Sequence, residues 1–471
     1  MRTCFAILSA VLLAACGDSV GSTVDAGIAD SSVPPWPHVL PPSDALRDRD
    51  EYVVARTILH SHSPISHDAC DGAGYIDAGV VDETCLLHLR NAVCALHIDT
   101  LNLTDHASHL AEFPFEALFL SRETDTAVYD GSGALVGSQI QCPDGSTTLV
   151  TVGSENELMP IGLVRHPVES SSVAEVEAAY HADGPEGVAL FRDAGALVFV
   201  AHTEQRELDV LRTLGMDGIE IYNVHANVDP RIRESWLGLP AADYLVSLLR
   251  FTNPVNELEP DLSFLSFFSE NQNDLSKWDT LLAEGMRVTA IAGSDAHENS
   301  SPMRMPDGER GDSYRRMLRW FSNHLLVHER TYEGQREALL SARSYVAFEV
   351  FGSPVNFRYT ATNLGDTVQM GGSLPLGATL HVHRPSMSSD VPLREAPEIS
   401  VRVLRSIDMG RTEEHVSSDE EVSFTPTSPG AYRVEVRIVP HHLRPYLGAQ
   451  ADSLIHEYVW IYSNPIVITP P

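Results

Sequence analysis

Residues His60–Gly72 read HSHSPISHDACDG and follow directly on the apolar run YVVARTIL, Tyr52–Leu59. A strand-like run ending in His60, His62, His67, Asp68 and Asp71 puts nitrogen and oxygen donors where a chain ordinarily turns back into solvent. A polar loop accounts for the polarity, whereas a metal site accounts for the choice of residues. Residues two apart on an extended segment point the same way, so His60 and His62 can grip one ion.

The arrangement recurs along the chain. Asp105 and His106 follow TLNLT, Glu155 follows TLVTVGS, His202 follows ALVFVA, and Asp295 and His297 follow RVTAIAGS. Between about residues 50 and 350, such apolar runs alternate with helical patterns, the signature of a mainly parallel α/β domain. One helix begins near Pro185 and stops at Gly195, with Asp183 or Gly184 placed to cap it. In a parallel barrel the carboxyl ends of the strands open on one face, so donors distant in sequence would meet there. Imidazole and carboxylate together suit zinc, manganese or iron better than magnesium, which prefers oxygen. Outside these groups, His381 and His383 in TLHVHRP read as solvent-facing strand residues. His441 and His442, beside Pro440 in a turn, read the same way, and His225 reads as a packing or supporting residue.

The bulk numbers fit two domains. The chain has 471 residues, 43% hydrophobic and 21% charged, an ordinary globular composition. Its net charge of -33 repels nucleic acid and acidic lipid surfaces at long range, so no extended nucleic acid is expected as a partner.

Residues 1–15 read as an export signal, and Leu13-Ala14-Ala15-Cys16 resembles the bacterial lipoprotein box in which the cysteine is lipidated. The expected location is therefore a bacterial membrane surface, held by an acyl anchor on Cys16. Residues 16–50, rich in Ser, Gly, Asp and Pro, read as a flexible tether. Cys70, Cys85, Cys94 and Cys142 then remain for one or two disulfides, with the pairing open. Beyond about residue 350 short alternating strands such as EISVRVL and AYRVEVRIV suggest an antiparallel β-sandwich over 351–471. There Tyr432, Val434, Val436 and Ile438 would share one face, and Arg433, Glu435 and Arg437 the other.

Taken in order, LHSHS, LTDHA, VGSE, FVAHT, DGIEIYN and AGSDAHE resemble the polymerase and histidinol phosphatase (PHP) family of metal-dependent phosphoesterases, over roughly residues 52–345. The tail segments PGAYRVEV and WIYSNPIVI resemble the β-domain of exported members. The resemblance implies a distorted TIM-like barrel of about seven β/α units over 51–350, followed by a small immunoglobulin-like sandwich, and two or three divalent transition-metal ions. By position, His60, His62, Glu155 and Asp295 would hold one ion. Glu155 would bridge to a second held by His202 and by His166 or His181. A third would take His106, His297 and either His67 or Asp68.

The activity so implied is hydrolysis of a small phosphoester by metal-activated hydroxide, resting on Asp295, His297 and His202. Arg304 and Arg310, after the last of these motifs, read either as a phosphate clamp or as surface salt-bridge residues. The long interval from His62 to His106, with its three cysteines, reads as a cross-linked insertion beside the site mouth. Two rival readings are a non-catalytic metal-binding surface lipoprotein and an amidohydrolase-like enzyme. The second characteristically needs a metal-bridging lysine, and Lys277 is the chain's only one.

Overall fold

The computed structural model describes residues 33–471 apart from 49, 78, 241–247 and 389. The signal-like start and Cys16 lie outside the described residues. From Pro35 on, the segment expected to be a loose tether is packed: Trp36, Leu40 and Leu46 are buried. The Trp36 indole donates to Asp261 (2.9 Å), and the Arg319 guanidinium lies 5.0 Å from its ring centre. A few large apolar side chains among prolines suffice to anchor an extended segment whose composition otherwise reads as a linker.

Eight strands position the site: β1 (Val53–Ile58), β2 (Thr100–Leu103), β3 (Thr147–Gly153), β4 (Met159–Leu163), β5 (Leu197–Val200), β6 (Gly218–Asn223), β7 (Thr289–Gly293) and β8 (Ser322–Val327). Most are buried along their whole length, which is why they read as continuous apolar runs. Their order is β7-β6-β5-β4-β3-β2-β1-β8, with β4 and β8 antiparallel to the other six. The carboxyl ends of β1, β2, β3, β5, β6 and β7 therefore face one way.

The closed barrel expected from the pattern does not form. Both edges of β8 are taken, one by β1 and the other by β9 (Ser344–Ala347), leaving none for β7. The Asn323 side chain of β8 instead accepts from Ala292 N and donates to Ala292 O, each at 2.9 Å. The fold is α/β with a large mixed sheet.

Helices α1 (Glu83–Ala95), α2 (Gly184–Asp193), α3 (Gln272–Ala283) and α4 (Tyr314–Trp320) pack around these strands. Asp82 caps α1, accepting from Cys85 N at 2.8 Å. Asp183 caps α2, and Gly195 takes the left-handed backbone that follows it, as its position after the apolar period predicts.

The C-terminal strands do not stand apart as an immunoglobulin-like unit. Strand Tyr458–Ser463 pairs with β9 and with Gly430–Val439, so the main sheet runs on into them. A second sheet, containing Arg358–Asn363, Thr379–His383 and Glu421–Phe424, faces it, and Tyr359 donates to the Tyr432 carbonyl at 2.9 Å. Tyr432, Val434, Val436 and Ile438 are buried, yet so are Arg433, Glu435 and Arg437. Helix α3 covers the charged face, where Asp279 accepts two bonds from Arg433, each at 2.9 Å. A charged strand face signals solvent only when no opposite charge waits across the interface.

His442 is likewise buried rather than solvent-facing, donating to the Phe351 carbonyl at 3.0 Å. Burial pushes its pKa down to about 4. Because the unfolded imidazole takes up its proton near pH 6.5, stability is full above that value and falls as pH drops towards 4. The loss should level off at about 3 kcal/mol below pH 4. Denaturation midpoints of wild type and His442→Gln between pH 7 and 4 test this; the variant's profile should be flatter.

Two disulfides resolve the pairing: Cys70–Cys85 and Cys94–Cys142. Both lie in the long insertion and its surroundings, tying α1 at one end to the His60–Gly72 loop and at the other to the hairpin beside β3.

Candidate metal centre

The six co-directed strand ends deliver their donors to one place. Beyond β1, the His60 and His62 Nε2 atoms face each other at 3.3 Å. Glu155, after β3, places Oε2 at 3.3 Å from His60 Nε2 and 3.2 Å from His62 Nε2. Asp295, after β7, places Oδ1 at 3.4 and 3.1 Å from the same nitrogens. All four side chains are buried, and their donor atoms lie within 4.8 Å of one another. Asp295 Oδ1 has no hydrogen-bond partner. Two ring nitrogens and two carboxylate oxygens converging on one point, one oxygen orphaned, suit a divalent cation.

A second group adjoins the first: His62, Asp68, His106 and His297. His106 Nδ1–H donates to the Glu155 carbonyl (2.8 Å) and His297 Nδ1–H to the Asp295 carbonyl (2.7 Å). A carbonyl only accepts, so in the neutral form of each ring Nε2 carries the lone pair. Those nitrogens face Asp68 Oδ2 at 3.7 and 3.4 Å, and His297 Nε2 is otherwise unpartnered. Between the two residues that compete for this place in the sequence, Asp68 joins the group. His67 is exposed, its ring 5.1 Å from that of His106.

His202 reaches the same centre, with Nε2 at 3.2 Å from Glu155 Oε1 and 3.3 Å from Asp295 Oδ2. His225 Nδ1 lies 3.2 Å from Asp295 Oδ2, so it faces the centre rather than merely packing beside it.

Other expected residues are not brought here. His166 follows β4, whose antiparallel direction carries its end elsewhere; its ring bonds the Tyr180 hydroxyl and the Phe113 carbonyl. His181 pairs with Glu157 (3.0 Å) in solvent. Arg310 is held by Asp71 and Asp312, and Arg304 is exposed and donates to the Gly308 carbonyl. Lys277 Nζ donates to the Thr203 (2.8 Å) and Glu204 (3.3 Å) carbonyls behind the His202 turn, away from a metal-bridging position.

The supporting layer carries residues the pattern of strand ends does not reveal. Glu220, buried within β6, sets His60 through Nδ1 (2.6 Å) and accepts from His202 N (3.0 Å). A Cβ at Gly293 would collide with the Glu220 carboxylate, so β7 carries glycine there. His202 Nδ1 pairs with Glu204 (3.0 Å), and buried Asp105 accepts from both the amide and hydroxyl of Ser63, fixing the His60–Gly72 loop. The signal for Glu220 is visible in retrospect: it is an acid inside the apolar strand GIEIYN.

Burial disfavours charge on His60, but Glu220, Glu155 and Asp295 outweigh it and push its pKa well above the usual imidazole value. Burial likewise works against charge on His106, and Asp68 and Glu155 outweigh it, raising its pKa to about 9. Protons and a cation thus compete for the same lone pairs, and metal affinity should rise with pH. Glu220→Gln removes the charge that orients His60 and should weaken metal binding about 10–100-fold. Competition with a chromogenic chelator reads that shift; unchanged affinity would remove Glu220 from this role.

No family model and no curated protein matches the chain. Solved structures similar to it include the following two. One is a two-domain protein containing predicted PHP-like metal-dependent phosphoesterase from Bacteroides vulgatus, 13% identical over 89% of this chain and 96% of that one, with a TM-score of 0.35. The other is PsfC from Pseudomonas syringae, 12% identical over 63% of this chain and 93% of that one, with a TM-score of 0.34. Both likenesses are distant.

Proposed function

We propose that the protein is a metal-dependent phosphoesterase of the PHP type, acting on a small phosphorylated substrate. The observation that carries this reading is the convergence of His60, His62, Glu155 and Asp295, buried and from three separate strand ends, beside Asp68, His106, His202 and His297. The first four would hold one ion, and Asp68, His106 and His297 another. His202 joins Glu155 and Asp295 at the edge of the first. Zinc, manganese or iron fits the mixed nitrogen and oxygen donors.

Such ions would supply an activated water and offset charge developing on the phosphoryl oxygens. The chain's own residues do the rest. Asp295 lies between the two donor groups, facing His60, His62, His202, His225 and His297. Glu220 holds His60 and the His202 amide in place, and Lys277 fixes the turn that follows His202. His225, half-buried at the centre's edge, can pass a proton to or from the leaving group.

Export and lipid anchoring through Cys16 belong to the same reading. The Leu13–Cys16 box supports them, and the two disulfides suit an oxidising compartment. Among the described residues no helix is long and apolar enough to cross a membrane.

Metal analysis of the purified protein, followed by a panel of phosphomonoesters and diesters including nucleotides, tests the proposal. Bound transition metal with turnover of at least one ester is expected. Metal without any turnover would favour the non-catalytic reading.

A further inference from the structure

Helix α1 grips two of the three loops that carry the second donor group, those of Asp68 and His297. Cys85, in its first turn, is bonded to Cys70, two residues beyond Asp68. One turn on, His88 Nδ1 lies 3.0 Å from Glu298, the residue after His297. The two loops are also stitched together: Cys70 N donates to the His297 carbonyl (2.8 Å) and Asp71 N to the Glu298 carbonyl (2.9 Å). Arg310 closes over the Asp71 carboxylate at 2.6 and 3.0 Å.

The loop so held is under backbone strain. Cys70 has φ of 57° and Glu298 55°, left-handed conformations that cost such residues about 1–2 kcal/mol each, and Asp71, also at 57°, tolerates that backbone better. Gly74 admits no Cβ against Cys70 Sγ and the Pro64 backbone, so the chain has little freedom beside the bridge. The inner donors are held differently. His60 is set by Glu220, and Asp295 N donates to the His60 carbonyl at 3.1 Å.

Resting on the metal-centre reading, we propose that the Cys70–Cys85 disulfide is a positioning element for one ion of the centre. It holds Asp68 against His106 and His297, so that without it the outer ion is lost while the ion among His60, His62, Glu155 and Asp295 stays. The insertion between His62 and His106 is thereby part of the metal site rather than only a wall at its mouth.

The test uses the full-length protein and Mn2+ as the probe, with ion number from equilibrium dialysis and ion pairing from electron paramagnetic resonance. Cys70→Ser/Cys85→Ser should bind one ion fewer than wild type at an Mn2+ concentration just above the wild-type outer Kd, with the outer affinity weakened about 10–100-fold. The spin-coupled signal should give way to an uncoupled one. Asp68→Asn, with its bridge intact, should reach the same state, and Cys94→Ser/Cys142→Ser should keep the wild-type ion count and coupling. If the first double variant does not fold, the folded wild type can be reduced with a water-soluble phosphine. The bridge then takes up two electrons and two protons as thiols, the phosphine becomes its oxide with oxygen from water, and the same loss is expected.

Unchanged ion count and coupling after the bridge is broken would overturn the inference and leave the phosphoesterase reading standing. Loss of both ions from a protein with native circular dichroism would overturn it too, because the bridge would then support the whole centre. Wild type that binds no Mn2+ at all would instead remove the metal centre itself.

Discussion

Asp295→Asn should lower phosphoesterase activity by at least about 10³-fold, roughly 4 kcal/mol of transition-state stabilisation, with the fold retained. The reason is geometric. One carboxylate faces five imidazoles, with Oδ1 near His60, His62 and His297 and Oδ2 near His202 and His225, all within 3.4 Å. Burial alone would favour a neutral acid, yet His60, His297 and His225 hold the Asp295 pKa well below the usual carboxylate range. Asparagine keeps the shape, and it tolerates the left-handed backbone at φ 51° as well as aspartate does. Alanine would add backbone strain to the loss of charge. Turnover of a generic phosphomonoester, measured alongside bound metal and thermal unfolding, separates the two effects. An asparagine variant with wild-type turnover would contradict the central role given to this residue.

The second large effect concerns stability. Asp279→Ala should cost about 3–5 kcal/mol, because it strips the paired acid from a guanidinium that is fully buried. Arg433 would keep Glu435 (2.8 Å) and the face of the Trp278 ring (5.1 Å), but lose both bonds to α3. Ser406 would lose its acceptor as well. Replacing the pair with apolar side chains, Asp279→Leu with Arg433→Met, should recover most of the loss, since the penalty comes from buried guanidinium donors left without an acceptor. Denaturant unfolding of the three proteins decides the matter. An alanine variant as stable as wild type would mean that the C-terminal strands are held to α3 by packing alone.

With the exception of His225, which follows β6 and reads as a packing residue, the candidate site was legible where a donor followed a strand of the common direction. His60, His62, His106, Glu155, His202, Asp295 and His297 all satisfy that condition, and all lie in the centre. His166 has the same local look, an imidazole just past the apolar run MPIGLV. Strand direction is set by pairing partners far along the chain, so nothing local reveals that β4 runs the other way. Asp68 and His67 were inseparable because their difference is a loop conformation, fixed in part by Cys70 and Asp71 with left-handed backbones. The same limit applies to partners. Arg310 looks free in sequence and is spoken for by Asp71, which lies in a loop distant along the chain. Alternation assigns Arg433, Glu435 and Arg437 to one face of Gly430–Val439, and α3 is what covers it. Period and composition report which side chains share a face, while what covers that face is a matter of tertiary structure.

The claim on which all else depends is that these donors share cations. Crystals grown with Mn2+ or Zn2+, with diffraction recorded at the absorption edge of the metal, address it directly. Anomalous peaks should lie among His60, His62, Glu155 and Asp295 and among Asp68, His106 and His297. Metal-replete crystals whose anomalous peaks fall elsewhere, or that show none, would contradict it.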